Sequence, residues 1–167
     1  MKLIASALAS ALLLAGTFAH ADTVTYRGEG KFHPPAGAGA PYEYRDLTTV
    51  EPISETKSKI SSAYTFSRRE GDREETMQIT YYTVKREDIY FDVLGYDEEK
   101  VGDGYCFEEG DRKTCSMSME MNGVRIEESR MERGNDRHVM GSMRNANGFI
   151  GAYQSHLVHV ESAKSAQ

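Results

Sequence analysis

The stretch Gly104–Met117, GYCFEEGDRKTCSM, holds both cysteines of the chain, and its reading decides the fold. Between them stands Glu109-Gly110-Asp111-Arg112. Gly followed by Asp suits a two-residue hairpin loop, because Gly accepts the positive φ that such loops require. With Gly110-Asp111 as the loop, Glu109 faces Arg112, Glu108 faces Lys113, Phe107 faces Thr114 and Cys106 faces Cys115. Counted from the turn, the cysteine pair is a non-hydrogen-bonded site. Cα atoms there approach to about 4.5 Å, within disulfide reach of about 4.4–6.8 Å. A zinc site would want a nearby His or a second Cys pair, and a redox centre usually reads Cys-x-x-Cys. The spacing predicts a structural disulfide, Cys106–Cys115, and with it an oxidising compartment.

The opening residues agree with that compartment. MKLIASALASALLLAGTFAHA has a positive Lys2, an apolar run to Leu14 and a small-x-small site at Ala19-His20-Ala21. This pattern predicts that residues 1–21 are a secretory signal peptide cleaved after Ala21, the run being too short to span a bilayer. Residues 22–167 then form a single domain, periplasmic or secreted. The formal charge of −6 disfavours nucleic acid and anionic lipid, whose phosphates would be repelled. No membrane insertion is expected.

The turn chemistry recurs along the chain. Gly71-Asp72 predicts a hairpin with Phe66 opposite Met77 and Tyr64 opposite Ile79. Gly134-Asn135 sets Arg133 against Asp136 and Glu132 against Arg137. Asn122-Gly123, with Glu120 facing Arg125, and Asn147-Gly148 are strong two-residue hairpin signals. Strands are expected near 23–33, 42–53, 58–70, 73–85, 88–96, 99–109, 112–121, 124–133, 136–146 and 149–161. About ten consecutive strands with turns at this spacing predict an all-β, antiparallel up-and-down β-barrel of the lipocalin or calycin type; a β-sandwich is the alternative.

Register carried from the disulfide sorts side chains onto two faces. One collects Cys106, Cys115, Met117, Met119, Met121, Val124, Ile126, Val139, Met143, Ile150, Ala152, Val158 and Val160. That apolar face should line the interior, whereas Tyr105, Phe107, Phe149 and Tyr153 fall outside. Four polar residues come with the interior face: Glu128, Arg130, Gln154 and His156. Buried charges need partners, so Arg130 and Glu128 could simply satisfy one another at a barrel mouth. Alternatively the four line a pocket in which Arg130 and His156 meet an anionic or metal-bearing ligand. The Met117/Met119/Met121 stripe could hold Cu(I) or could be core. His138 and Met140 fall on the opposite face from it. No Gly-x-Ser-x-Gly, His-Glu-x-x-His or phosphate loop is present, so no catalytic residue is assigned.

Tyr26-Arg27-Gly28-Glu29-Gly30, His33-Pro34 and Tyr42-Glu43-Tyr44-Arg45-Asp46 resemble the opening of nitrobindin-like barrels. Ser155-His156-Leu157 is similar to the His-Leu of that family's last strand. The resemblance implies a ten-stranded barrel in which His156 would ligate haem iron. The signal peptide, the disulfide and the lack of Trp depart from that family, and the wider calycin group shares the barrel with varied ligands. The function expected is therefore an exported small-ligand-binding barrel, with a hydrophobic, anionic or haem-type ligand. The alternative is a non-catalytic structural or interaction module of the cell envelope with a filled barrel.

Overall fold

A computed structural model describes residues 22–67 and 74–160. The signal peptide expected over 1–21 and the turn expected at Gly71-Asp72 lie outside the described residues. Ten antiparallel strands follow one another: β1 Val24–His33, β2 Tyr42–Pro52, β3 Lys57–Ser67, β4 Glu74–Glu87, β5 Tyr90–Leu94, β6 Lys100–Glu109, β7 Arg112–Met121, β8 Val124–Arg133, β9 Asp136–Asn145 and β10 Gly148–Val160. Each pairs with its sequence neighbours, and β1 pairs with β10 from Thr25↔Val160 to His33↔Ala152. The barrel is closed, although the short β5 pairs with β4 only from Tyr82 onward and leaves 74–81 without a strand partner on that side among the described residues. The sandwich alternative is set aside.

The turns set register as their chemistry requires. Gly110 and Gly134 take φ of 61° and 57°, and Asn122-Gly123 take 53° and 72°. The three hairpins they close pair Cys106 with Cys115, Glu120 with Arg125, and Glu132 with Arg137, as expected. Cys106 and Cys115 form a disulfide with Cα atoms 4.0 Å apart. The β3–β4 pairing lies two residues from expectation, with Tyr64 opposite Met77 and Phe66 opposite Glu75. An even displacement leaves every side chain on its expected face.

The last hairpin differs in a way that matters. Its loop is Ala146-Asn147, with Asn145 opposite Gly148, one residue earlier than Asn147-Gly148. A bulge between Phe149 and Gly151 then adds one residue to β10. A single extra residue exchanges the two faces of everything beyond it. Gly151, Ser155 and Leu157 are therefore buried, whereas Gln154, His156, Val158 and Val160 are exposed. Seating Leu157 at 1% exposure stabilises by about 1.5–3 kcal/mol. The expected register would have placed His156 and Gln154 inside instead, at a desolvation cost.

The apolar core gathers Ile60, Tyr81, Val93, Met117, Met119 and Ile126, with Met121, Val124 and Met143 packed against it. The methionine stripe is thus core, as the sequence allowed. One end of the barrel, called upper here, carries the connections 34–41, 95–99, 122–123 and 146–147. The lower end carries 53–56, 88–89, 110–111 and 134–135.

Candidate ligand-binding site

β8 is the strand that brings charge inside. Inward alternation puts Glu128 and Arg130 on the axis, and their side chains are 4% and 17% exposed. Arg130 Nε donates to Glu128 Oε1 at 2.5 Å, and its Nη2 donates to the Tyr81 hydroxyl. Tyr153, brought inward by the bulge, donates its hydroxyl to Glu128 Oε2 at 2.5 Å. Its ring lies over Gly141, where an added Cβ would stand 2.3 Å from Tyr153 Cζ. Gly30 makes room in the same way for the Tyr44 ring, 2.2 Å from where its Cβ would be.

A second polar group sits beside the first. Asp46 is 2% exposed. It accepts hydrogen bonds from Thr48 Oγ1 at 3.0 Å and from Ser155 Oγ at 3.2 Å. Thr48 also shares a 2.8 Å contact with Ser62. Burial raises the pKa of Asp46, partly offset by these two hydroxyl donors. Burial likewise raises the phenols of Tyr44, Tyr64, Tyr81 and Tyr153. At Arg130, burial alone would lower the pKa, but Glu128 and Tyr81 outweigh it and hold the guanidinium charged.

Above this floor the barrel opens through a mouth lined by Phe32, Tyr44, Tyr64, Phe66, Met77 and Ile79. Phe66 meets Tyr42 edge-on at 5.6 Å between ring centroids, and Tyr44 meets Tyr64 likewise. The cavity measures about 30 Å³. That admits a water or a few, each of which needs at least about 10–15 Å³. A drug-sized ligand occupies a pocket of about 300–1,000 Å³.

Of the four residues expected in the pocket, Arg130 and Glu128 line it and bond to one another. Gln154 and His156 do not join them, because the β10 bulge turns both outward. His156 is 53% exposed in its side chain, and its Nε2 lies 2.8 Å from Asp136 Oδ1. His156 therefore presents no ring to the interior for a haem iron. The inward residues of β10 are Tyr153, Ser155 and Leu157, with His159 packed 5.8 Å from the Tyr26 ring. Tyr153 and Ser155 were legible as the complementary face of the same strand.

A second Arg–Glu pair was paired by the turn chemistry but not recognised as interior. Arg137 donates to Glu132 Oε1 near the lower end, with side chains 6% and 25% exposed. Its guanidinium carbon lies 3.7 Å from the centroid of Tyr26, a cation–π contact. Its Nε has no hydrogen-bond partner among the described residues.

The fold and site define an all-β barrel whose centre holds a charge-balanced, tyrosine-rich polar cluster beneath an aromatic mouth. The crystal structure of Rv2717c from M. tuberculosis has a similar fold. It matches with a TM-score of 0.54 and 12% identity, over 82% of this chain and 91% of that one. No family model matches the chain, and no curated protein matches it.

Proposed function

We propose that the protein is exported and that its barrel takes one small, neutral, largely apolar ligand in the upper mouth. The observation carrying this is the opening lined by Phe32, Phe66, Met77 and Ile79 above the Arg130–Glu128–Tyr81 floor. Apolar walls with a few convergent polar groups are the usual make-up of a small-molecule site. A ligand of this kind meets rings at the mouth and a hydrogen-bonding floor below. An anion fits less well, since Glu128 already neutralises Arg130 and Asp46 adds a second carboxyl nearby. Haem in the centre fits least: the cavity is about 30 Å³ and His156 is outside. Export is supported by the Cys106–Cys115 disulfide, which suits an oxidising compartment. The second reading is a filled barrel acting as an envelope interaction module, and the small cavity favours it.

Titration with the neutral fluorophore N-phenyl-1-naphthylamine separates the two readings. Saturable one-to-one binding is expected, lost in Met77→Asp at the rim with the fold retained by circular dichroism. No saturable binding, or binding indifferent to Met77→Asp, would reject the mouth and leave the filled module. A haem titration completes the test: a Soret band abolished by His156→Ala would restore the haem reading.

A further inference from the structure

The outer surface of β8–β10 carries a set of soft donor atoms that packing does not explain. Met131 on β8 is the direct cross-strand partner of His138 on β9, and His138 is the partner of His156 on β10. Met140 stands two residues beyond His138 on the same face, opposite Ser129 and Gln154. Direct cross-strand neighbours have Cβ atoms about 4.5–5.5 Å apart, within reach of both a thioether and an imidazole around one ion. The interior methionines Met117 and Met119 are 7% and 3% exposed and fill the core. Met131 and Met140 are 38% and 60% exposed and lie outside that core.

The histidines are arranged unequally. His156 is held by Asp136, and its ring stacks flat on that of His138, with centroids 4.5 Å apart and planes within 2°. Two parallel rings cannot aim their lone pairs at one ion, so only one can be a ligand. His138 makes that stacking contact and no side-chain hydrogen bond among the described residues, which leaves its nitrogens available. His156 is the positioning residue, fixed by a carboxylate and fixing His138 in turn. The other cross-strand neighbour of Met131 is the small Thr114, and one of those of Met140 is Ser129.

We propose that His138, Met131 and Met140 form a surface site for a soft monovalent cation, Cu(I) or its redox-inert analogue Ag(I). Thioether and imidazole donors select such ions over magnesium or calcium. Among the described residues no three His, Cys, Asp or Glu side chains converge on a metal position, so zinc has no comparable nest. Both cysteines are in the disulfide, and no thiolate competes.

The test is Ag(I) titration of the purified protein, read by native mass spectrometry and by the ¹³C-methyl resonances of methionine. One Ag(I) per chain is expected, shifting the Met131 and Met140 methyls and leaving Met117 and Met119 unmoved. His138→Ala and Met140→Leu are exposed changes that leave the fold intact, and each should weaken binding by at least about tenfold. His156→Phe keeps the stacked ring and should retain binding, whereas loss there would make His156 the ligand and overturn the assignment. No Ag(I) uptake, or uptake indifferent to His138→Ala and Met140→Leu, would overturn the site altogether.

Discussion

Two Arg–Glu pairs, one at the centre of the barrel and one near its lower end, use the same device to different effect. At the centre, below the upper mouth, Arg130 and Glu128 lie side by side on β8, with Tyr81 and Tyr153 completing their hydrogen bonds. Near the lower end, Arg137 and Glu132 pair across β8 and β9, with Tyr26 covering the guanidinium. Glu128 is 4% exposed and Glu132 25%. The disulfide stands level with the central pair, Cys115 being the cross-strand partner of Arg130. The lower pair joins a buried guanidinium to a partly solvated carboxylate, whereas the central pair buries its carboxylate and makes its partners depend on it. An ion pair's worth follows from its solvation more than from its geometry.

Glu128→Ala carries the largest expected effect. It leaves Arg130 charged and buried and strands the Tyr153 hydroxyl, so chemical denaturation should show a loss of about 3–5 kcal/mol. Replacing both Glu128 and Arg130 by Met should recover most of that loss. Glu132→Ala also strands a buried guanidinium, that of Arg137 at 6% exposure. The Glu132 carboxylate is wetter, however, and the Tyr26 ring still covers the cation, so the loss should be smaller, about 2–3 kcal/mol. Equal losses at the two sites would break the distinction between the pairs.

Opening the staple comes next. Cys106→Ser with Cys115→Ser should lower stability by at most about 2–3 kcal/mol, because the loop it closes is short. The same loss on adding reductant to the unmutated protein would show that the bond, not the substitution, is responsible.

Asp46 gives the pH dependence of the central cluster. Its folded pKa is raised by burial, so over the window between the unfolded and folded values the native state holds the proton that the unfolded chain has lost. Stability therefore falls as pH rises through that window. Asp46→Asn should flatten this part of the stability–pH curve. An unchanged slope in Asp46→Asn would assign it to another group.

How far the sequence could be read divides along β10. Three hairpins whose loops are Gly-Asp, Asn-Gly and Gly-Asn paired as their chemistry required, because turn type and cross-strand charges agreed at each. That was enough for the strand order, the disulfide, the methionine core and the Arg130–Glu128 pair. At Asn145–Gly151 local turn preference and burial disagree. The loop signal at Asn147-Gly148 placed Gln154 and His156 inside, whereas burial favours Tyr153 and Leu157 there. The bulge resolves the conflict for burial, and Gly151 permits it: a Cβ there would stand 2.2 Å from the Phe32 ring. A comparison of the two alternating faces, Tyr153/Ser155/Leu157 against Gln154/His156/Val158, held the signal. Arg137 escaped notice because its pairing with Glu132 was read for charge and not for face.

The smallest predicted effect tests that register. With its ring 53% exposed and tied only to Asp136 and His138, His156→Ala should change stability by no more than about 0.5 kcal/mol. If β10 ran without its bulge, His156 would lie among Val139 and its neighbours. Truncation there would leave a cavity and cost upwards of about 2 kcal/mol. Thiol labelling gives the same answer without relying on energies. A cysteine at His156 should react in the folded protein at nearly the rate of a free thiol. One at Ser155, 7% exposed and bonded to Asp46, should react only on unfolding. Reversal of the two rates would return His156 to the interior and reopen the haem reading, since the bulge alone keeps that imidazole outside the barrel.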